Sequence, residues 1–382
     1  WVGFLCALNS YSEHFLLEAM ALTDEEYMRI AINEAVKGTG YTSPNPLVGA
    51  VIVKDGKILN KDYHHKYGEF HAERNAILNC KEDMQGADIY VTLEPCCHYG
   101  KTPPCTDIII ESGIKRVFIG SADPNPLVAG KGAEKLRSDG IEVIEGVLKD
   151  ECDKINDVFF HYITHKTPFV AMKYAMTADG KIATRTGASQ WITGETAREN
   201  VHKSRLKYSG IMVGIGTVLK DDPMLTCRMP GGRNPIRIIC DSKLRTPFDS
   251  NIVKTAGEVL TIIATVSEDK ELIKKYIDKN ITILKTSSDN GHVNLNELMK
   301  KLGEMKIDGI LLEGGGELNF SALKAGIVNK IECYIAPKIF GGTEAKSPVG
   351  GIGVDVPDEA FVFGKPDVSF FDDDILLEWR LK

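Results

Sequence analysis

The sequence alternates short apolar runs with helical segments, and this alternation points to an α/β fold. The first series opens with DEEYMRIAINEAVKG, a helix with acids in its first turn and Gly38 at its end. A helix from about residue 70 and another ending at Ser112 lie between its strand candidates: VGAVIVKDGKIL, DIYVTLEP, RVFIGSAD and the end of GAEKLRSDGIEVIEG. Residues 23–147 are therefore predicted to form a three-layer α/β/α domain.

A second series of strands follows a helical stretch, KDECDKINDVFFHYITHKTP, which Pro168 closes. Its strand candidates are FVAMKYAMT, SGIMVGIG, PIRIICD, VLTIIAT, ITILKT, DGILLEGGG, KIECYIAPKIFGG and DDDILLEWRLK. The 382 residues exceed what one hydrophobic core usually organises, so two domains are expected. We predict a connecting segment at 148–167, a second α/β domain at 168–382, and an N-terminal extension of unknown role at 1–22, with Met20 as a candidate start.

The net charge and the cysteine content restrict which binding partners and which cellular compartment are expected for this chain. The net charge of −7, without a long Lys/Arg block, argues against a nucleic-acid surface. The nine cysteines are odd in number and show no disulfide-type spacing, which favours the cytoplasm. No membrane span is predicted, and the apolar opening carries Glu13, His14 and Glu18 where an export signal would stay apolar. We expect a cytoplasmic homo-oligomer that acts on a small molecule.

The stretch PCCHYGKTPPC, residues 95–105, gathers three cysteines and a histidine about 22 residues after HAE at 71–73. One His and two Cys leave a fourth zinc position open, as in catalytic sites. Zinc lowers the pKa of water at such a position, and a carboxylate that is not a ligand can move its proton; Glu73 is placed for that role. Zinc nucleobase deaminases carry H-x-E followed by P-C-x-x-C, whereas Cys96 and Cys105 are nine residues apart.

Each of these motifs alone has an ordinary structural interpretation. His-x-Glu is usually a solvated helix face, and buried cysteines are often small core residues. Together, in this order and spacing, they are far more specific. The residues themselves leave Cys97 and His98 open as ligands, although adjacent cysteines rarely both reach one tetrahedral ion.

The runs SPNPLVGAVIV, HAE, LEPCCHYGKTPPC and SADPNP resemble the deaminase half of the bifunctional riboflavin-biosynthesis deaminase and reductase family. The resemblance implies a cytidine-deaminase-like fold, one zinc on His71, Cys96 and Cys105, and Glu73 as the proton shuttle. It implies that Cys97, where many relatives carry serine, is not a ligand. It also places the substrate's pyrimidine and ribose phosphate on Asn45, His64, His98, Lys101, Thr102, Asp123 and Asn125. Amide and acid groups suit a polar heterocycle, and Lys101 suits a phosphate.

The second half resembles the reductase of the same family, an α/β fold related to dihydrofolate reductase. The matching runs are MKYAMTADGKIA, SQWITG, VGIGTVLKDDPMLTCR, CDSKLRTP, LLEGGGELNFSAL and APKIFGG. EGGGELNFSAL follows a strand and opens a helix, which offers backbone N–H groups to a phosphate, although a glycine run can equally be a tight turn. Gly214 and Gly216 would provide a second stretch of backbone that can approach a bound ligand closely. The first strand-to-helix turn of this half has no G-x-G-x-x-G, so the usual dinucleotide fingerprint does not apply.

The resemblance also implies the ligand contacts of the reductase half. NADPH falls on Ala175, Trp191, Thr217, Asp221, Ser242, Gly315, Gly316, Glu317, Leu318, Asn319, Phe320 and Ser321. The substrate is expected to contact Ser189, Arg205, Leu225, Arg228 and Glu313. Three further residues, Lys173, Asp179 and Asp221, are polar candidates near the hydride path. Of these three, Lys173 is also counted among the substrate contacts. The alternative interpretation of Trp191 is a tryptophan buried in the hydrophobic core, without a contact to the cofactor. Arg205 and Arg228 suit a ribose phosphate.

We interpret the chain as an enzyme with two successive activities on one riboflavin precursor. The first half would hydrolyse the 2-amino group of 2,5-diamino-6-ribosylamino-4(3H)-pyrimidinone 5′-phosphate, and the second would reduce the ribosyl chain with NADPH. Three alternatives remain: a chain with one working half, a zinc-dependent nucleic-acid editor such as a tRNA adenosine deaminase, and a non-catalytic binding module. The acidic net charge and the reductase-like half argue against a nucleic-acid editor, and the presence of Glu73 argues against a non-catalytic binding module.

Overall fold

The chain consists of two compact units. The computed structural model describes residues 22–100, 102–125 and 128–381. Of the described residues, one unit holds those up to Gly38 together with those of Leu47–Asn156, and the other holds Thr39–Pro46 and those from Asp157 onwards. The predicted domain limits at 147 and 168 stay a prediction, and the predicted extension at 1–22 lies almost wholly outside the described residues.

The described residues of the first unit form five α-helices and five strands. The helices are α1 (Asp24–Ala35), α2 (Ala72–Leu78), α3 (Cys105–Glu111), α4 (Lys131–Ser138) and α5 (Lys149–Ile155). The strands are β1 (Gly49–Lys54), β2 (Lys57–Tyr63), β3 (Asp88–Leu93), β4 (Arg116–Ser121) and β5 (Glu142–Glu145). They form one sheet in the order β2-β1-β3-β4-β5, in which β1 is antiparallel to both neighbours and β3, β4 and β5 are parallel.

Both faces of this sheet are buried. Val51 packs in a core cluster with Met28 of α1, while Ile52, which points to the opposite face, is also fully buried. Helix α1 begins with a capping box in which the Thr23 side chain accepts the Glu26 N–H and Glu26 accepts the Thr23 N–H. A strand buried on both faces requires a layer on each side, as the three-layer prediction expects.

The second unit contains seven helices and eleven strands among its described residues. The helices are α6 (Asp157–His165), α7 (Glu195–Lys207), α8 (Ile215–Asp221), α9 (Asn251–Lys254), α10 (Lys270–Ile277), α11 (Leu295–Glu304) and α12 (Gly316–Lys324). The strands are β6 (Phe169–Thr177), β7 (Gly210–Gly214), β8 (Ile236–Cys240), β9 (Thr261–Thr265), β10 (Ile281–Lys285), β11 (Ser288–Asp289), β12 (His292–Val293), β13 (Gly309–Leu312), β14 (Lys330–Ala336), β15 (Asp367–Phe371) and β16 (Asp374–Arg380).

Nine of these strands form one sheet in the order β10-β9-β8-β7-β13-β6-β14-β16-β15. The seven strands from β10 to β14 are parallel, and β16 pairs antiparallel with both β14 and β15. Because parallel strands end at the same edge, the loops after β6, β7, β8 and β13 meet there. The two α/β sheets confirm the predicted fold class.

Two local predictions differ from the structure. The run VGAVIVKDGKIL, predicted as one strand, is the hairpin β1–β2, because Asp55 and Gly56 both adopt positive φ, 52° and 78°, and reverse the chain. The stretch predicted as one connecting helix is two helices that meet at Asn156, whose side chain binds both the N–H and the carbonyl of Leu47. Helices α5 and α6 group with different units.

Candidate metal centre and reductase cavity

His71, Cys96 and Cys105 converge at one point of the first unit. His71 is the residue before α2, Cys96 lies in the loop after β3, and Cys105 is the first residue of α3. His71 Nδ1 is 3.6 Å from Cys96 Sγ and 3.4 Å from Cys105 Sγ. The three ligand atoms all lie within 4.8 Å of one another.

This geometry fits a zinc ion. A nitrogen and a sulfur ligand at about 2.1 and about 2.3 Å from zinc, at a tetrahedral angle, lie about 3.6 Å apart. The two measured N–S distances, 3.6 and 3.4 Å, agree with that value. Cys97 is half-buried and its sulfur is outside the three-atom cluster. Three ligands leave one tetrahedral position for water or substrate.

Glu73 lies in the first turn of α2, two residues after His71, and is only 3% exposed. Its Oε2 atom is buried and has no hydrogen-bond partner among the described residues. Burial raises the pKa of Glu73, although the charge of His71 opposes the shift. An unsatisfied buried carboxylate oxygen is costly in a folded protein, so its presence beside the three ligands marks a position for a ligand that supplies the missing partner.

The two thiols of the cluster differ in acidity. The hydrogen bond from Cys105 holds the pKa of Cys96 near about 4, although burial opposes this, and His71 contributes in the same direction. The pKa of Cys105 is raised well above its ordinary value by the same contact and by burial. The contact with Cys105 therefore favours the thiolate form of Cys96, and a thiolate is the form that binds metal.

Two of the predicted pyrimidine-binding residues, His64 and Asp123, are buried in this unit, and a third, His98, is half-buried. His64 is buried, its Nδ1 is 2.9 Å from the Phe70 carbonyl, and its ring packs edge-on to His71 at 5.3 Å. His98 Nδ1 is buried and has no hydrogen-bond partner among the described residues. Burial raises the pKa of Asp123 to about 6, and its Oδ1 accepts the Asn125 N–H at 2.8 Å.

The other predicted residues of this set are distributed differently. Thr102 is half-buried, and its carbonyl accepts the Gly100 N–H at 3.3 Å. Asn45 belongs to the segment that groups with the second unit, where its N–H donates to the Thr42 carbonyl. Lys101 lies outside the described residues.

Glu94, which the sequence analysis did not select, links the cysteine loop to the loop that carries Asp123. It is 5% exposed, and its carboxylate accepts backbone N–H groups from Asp123, Gly130, Gly132 and Ala133 at 3.4, 2.9, 2.9 and 3.3 Å. The last three donors lie at the start of α4, where a negative charge is favoured. Its position directly before Pro95 and Cys96 was the only sequence signal.

In the second unit, a cavity of about 870 Å³ lies at the carboxyl ends of the parallel strands. Most predicted reductase residues line it: Lys173, Ala175, Ser189, Trp191, Thr217, Asp221, Ser242, Glu313, Gly315, Gly316, Glu317, Leu318 and Ser321. Helix α12 begins at this cavity after the turn Glu313–Gly315. A helix N-terminus with free N–H groups suits a diphosphate.

Arg205 and Glu313 form a two-point ion pair beside the cavity. Arg205 Nε donates to Oε1 at 2.8 Å and Nη2 to Oε2 at 2.9 Å, and Nη1 donates to the Thr226 carbonyl at 3.0 Å. Burial alone would raise the pKa of Glu313, but Arg205 outweighs it and the pKa falls to about 2. Burial lowers the pKa of Lys173, and Glu313 opposes that shift.

Trp191 is 60% exposed and lines the cavity, so its alternative interpretation as a core tryptophan is wrong. The Arg198 guanidinium lies 4.7 Å from the Trp191 ring centroid. Asn319 and Phe320 are not among the lining residues: the Asn319 amide donates to the Pro348 carbonyl, and the Phe320 ring packs edge-on to Phe361.

The loop with Leu225 and Arg228 is attached to α7. Leu225 is buried with a positive φ of 51°, and Arg228 is exposed. His202, which the sequence analysis missed, accepts the Arg228 N–H at its Nδ1, 3.3 Å away. Burial, with the charges of Arg205 and Arg228, lowers the pKa of His202.

Two family matches divide the chain in the same way. Residues 22–121 match the cytidine and deoxycytidylate deaminase zinc-binding region, and residues 168–366 match the RibD C-terminal domain. The riboflavin biosynthesis protein RibD of Actinobacillus pleuropneumoniae is 58% identical over 358 residues, 94% of this chain and 95% of the relative. The protein of the same description in Aquifex aeolicus is 44% identical over 94% of this chain and 98% of its own length.

Solved structures agree over nearly the whole chain. The diaminohydroxyphosphoribosylaminopyrimidine deaminase/5-amino-6-(5-phosphoribosylamino)uracil reductase of Thermotoga maritima is 43% identical, with a TM-score of 0.83, and the match covers 94% of this chain and 99% of that one. RibD of Acinetobacter baumannii is 32% identical, with a TM-score of 0.82 over the same shares.

The folds and sites define a bifunctional enzyme, a hydrolytic zinc-dependent deaminase joined to a reductase of the NADPH-using type. It acts on a small molecule in riboflavin biosynthesis, as predicted. The chain belongs to the RibD family of riboflavin-biosynthesis proteins. No helix in the described part of the chain has both the length and the apolar character that crossing a bilayer requires.

Proposed function

We propose that the first unit hydrolyses the 2-amino group of 2,5-diamino-6-ribosylamino-4(3H)-pyrimidinone 5′-phosphate. The second unit then reduces the ribosyl chain of 5-amino-6-(5-phosphoribosylamino)uracil to ribityl. The description of the Thermotoga maritima relative names a deaminase and a reductase of this kind. The observation that carries the proposal is the buried, unpartnered Oε2 of Glu73 beside the His71, Cys96 and Cys105 cluster.

The residues of this cluster define the roles in deamination. His71, Cys96 and Cys105 would hold the zinc, which supplies Lewis-acid activation of water when bound. Glu73 would accept the proton of the attacking water and deliver it to the leaving amine nitrogen. Its burial and its unpartnered Oε2 atom support this role, since Glu73 must exchange protons with reacting atoms and not with bulk solvent.

The polar residues that the family resemblance assigns to the substrate would hold it. His64, His98, Thr102, Asp123 and Asn125, together with Asn45 and Lys101, carry the amide, acid and basic groups that a pyrimidine and a ribose phosphate require. The buried, unpartnered Nδ1 of His98 supports this assignment, because substrate would complete its hydrogen bonding.

In the second unit, the residues named above around the cavity would hold NADPH and the substrate side by side. NADPH supplies the hydride when bound. Arg205, oriented by Glu313 and the Thr226 carbonyl, and Arg228 would bind the substrate phosphate, while Ser189, Leu225 and Lys173 would orient the sugar chain. The fixed geometry of the Arg205–Glu313 pair supports a positioning function.

Glu73→Gln tests the deaminase assignment, because it keeps size but removes the proton acceptor. Deamination should fall by a factor on the order of 10² to 10⁴, or more since one group serves both transfers. Zinc should stay bound, and reduction of the deaminated substrate should continue at close to the parent rate. Glu111→Gln, at an exposed glutamate at the end of α3, is the control and should leave both activities unchanged.

The reciprocal variant tests independence of the two sites. Arg228→Ala should weaken reduction and leave deamination intact, because it removes a phosphate contact in the second unit only. Loss of both activities in folded, zinc-loaded Glu73→Gln protein would contradict two independent sites and would indicate a single shared site. Mass analysis of the purified chain incubated with the diaminopyrimidine phosphate, with and without NADPH, also decides whether both halves work.

We also propose the predicted domain limits, cytoplasmic localisation and homo-oligomerisation. The cysteines of the described chain are free thiols, which supports a reducing compartment. Val368 and Phe370 of the edge strand β15 are 52% and 71% exposed, and an apolar edge strand supports pairing with a second copy. Sedimentation velocity that showed only monomer at micromolar concentration would exclude the oligomer.

A further inference from the structure

Arg74 connects the two helices whose N-terminal ends carry the predicted metal ligands His71 and Cys105. It lies on α2, three residues after His71, and its Nη2 donates to the Pro104 carbonyl at 3.3 Å. Pro104 directly precedes Cys105, the first residue of α3. A single arginine side chain therefore links the helix that follows one ligand to the peptide that precedes another.

The peptide unit between Pro104 and Cys105 is hydrogen-bonded at both ends. Its carbonyl oxygen accepts from Arg74, and its N–H, which belongs to Cys105, donates to Cys96 Sγ at 3.4 Å. The C=O and N–H of a trans peptide point in opposite directions, so the guanidinium and the sulfur lie on opposite sides of this unit. The Cys96 carbonyl also accepts the Thr106 N–H at 3.2 Å. One peptide thus connects a positive charge to the sulfur of a predicted ligand.

The other contacts of Arg74 do not explain its position. Its side chain is half-buried, and it forms no ion pair with an acidic residue of the described chain. Its Nε atom is buried without a hydrogen-bond partner among the described residues, which costs free energy. The guanidinium lies 5.7 Å from the centroid of the Phe70 ring, and this contact orients it. Within the described chain, the Pro104 carbonyl is the one group that accepts a hydrogen bond from the Arg74 side chain.

Hydrogen bonds that share a peptide unit strengthen each other. A donor on the carbonyl oxygen draws electron density from the amide, and the amide N–H becomes a stronger donor. A charged donor such as a guanidinium has a larger effect than a neutral one. The Cys105 N–H is therefore expected to withdraw more charge from the Cys96 sulfur than an amide without the arginine would. Contacts of this kind, one step behind a ligand, tune the metal that the ligand holds.

We propose that Arg74 is a positioning residue of the zinc centre, which orients the Pro104–Cys105 peptide and, through it, limits the charge that the Cys96 sulfur donates to the metal. The proposal rests on the proposed ligand set of His71, Cys96 and Cys105. Less charge donated by the sulfur leaves a bound ion a stronger Lewis acid, as the proposed hydrolysis requires. Arg74 acts through the peptide and contacts no reacting atom.

The test measures the metal site and not turnover. The full chain is freed of zinc and loaded with Co²⁺, whose sulfur-to-cobalt charge-transfer absorption depends on the charge held by the thiolate. In R74M and R74Q, two variants that remove the positive charge, this absorption should move to lower energy, because the sulfur keeps more of its charge. The zinc dissociation constant, measured by competition with a chromophoric chelator, should rise about 10-fold. R74K retains the cation and should keep both properties close to those of the parent chain.

A matched control separates the possible outcomes. Arg137→Met removes an exposed arginine that also donates from Nη2 to a backbone carbonyl, that of Val143 on β5 at 3.2 Å, and it should change neither property. Weaker zinc binding without a shifted absorption in R74M and R74Q would make Arg74 a packing residue and overturn the proposal, as would no change in either property. A parent chain that shows no thiolate-to-cobalt absorption overturns the ligand set itself.

Discussion

Arg205 and Glu313 meet through two parallel hydrogen bonds, of 2.8 and 2.9 Å, and each side chain is only 15% exposed. Both residues were predicted separately as substrate contacts, and the structure shows that they bind each other. The carboxylate therefore fixes the orientation of the guanidinium before substrate arrives. Removal of one partner from a buried ion pair of this geometry strongly destabilises the folded protein, because the other charge stays buried without compensation.

Glu313→Gln is expected to lower the free energy of unfolding by roughly 3 kcal/mol, because it leaves the Arg205 charge buried without its partner. The carboxyl has an ordinary pKa of 4.5 and a folded pKa of about 2. Its contribution to stability is thus complete above about pH 4.5 and is lost as the pH falls through about 2. Urea unfolding at several pH values measures both effects. Glu271→Gln, at an exposed glutamate, should change stability by less than about 0.5 kcal/mol, and an equal loss there would contradict the argument.

Cys96→Ser and Cys105→Ser together should abolish zinc retention, because they remove two of the three converging ligands. Cys97→Ser should leave one zinc per chain, since its sulfur is outside the cluster. Elemental analysis of protein purified without chelators measures this directly. Zinc at full occupancy in the double variant would show that the ligands lie elsewhere.

Glu94→Gln is expected to raise the KM of deamination about ten-fold while zinc stays bound. The carboxylate receives four backbone N–H groups, and an amide in its place turns an NH₂ toward some of these donors. The loop with Asp123 would lose its attachment to the cysteine segment. Steady-state kinetics with zinc analysis separates this effect from metal loss. Glu134→Gln, at an exposed glutamate on α4, should leave KM unchanged.

His202 should make the KM of reduction pH-dependent, since its Nδ1 can accept the Arg228 N–H only in the neutral ring. Burial, Arg205 and Arg228 lower its pKa below the ordinary 6.5, while Glu313 opposes them and Lys173 adds to them. KM should rise only when the pH falls below 6.5, and the stability from the neutral ring is lost over the same range. His202→Asn, whose Oδ1 replaces Nδ1 as acceptor, should keep a low KM and remove this dependence, whereas His202→Leu should raise KM at every pH.

The sequence predicted the long strands and the three residues His71, Cys96 and Cys105 because each lies in a short, recognisable motif. Apolar runs such as RVFIGSAD and PIRIICD are each about one strand long, and they became β4 and β8. His71 and Glu73 are two residues apart, so one helix start positions both. The β1–β2 hairpin also has a local sequence signal, the dipeptide Asp55–Gly56 between apolar runs.

Glu94 and His202 could not be found in the same way, because their partners are distant in sequence. Glu94 binds N–H groups up to 39 residues further along the chain, and His202 binds one 26 residues away. An isolated glutamate or histidine in a sequence carries no sign of such a contact. The pairing of Arg205 with Glu313, 108 residues apart, was hidden for the same reason.

The turn Glu313–Gly315 and the start of α12 form one short segment that, on the proposed assignments, serves both ligands of the second unit. Glu313 orients the substrate's arginine, and Gly315 and Gly316 open the helix that receives the nucleotide. Any displacement of this turn by one ligand must therefore be felt by the other. Thermodynamic linkage then requires reciprocity: whatever factor the nucleotide applies to substrate affinity, the substrate applies equally to nucleotide affinity. The two ligands of the reductase would be allosteric effectors of each other across a single peptide segment.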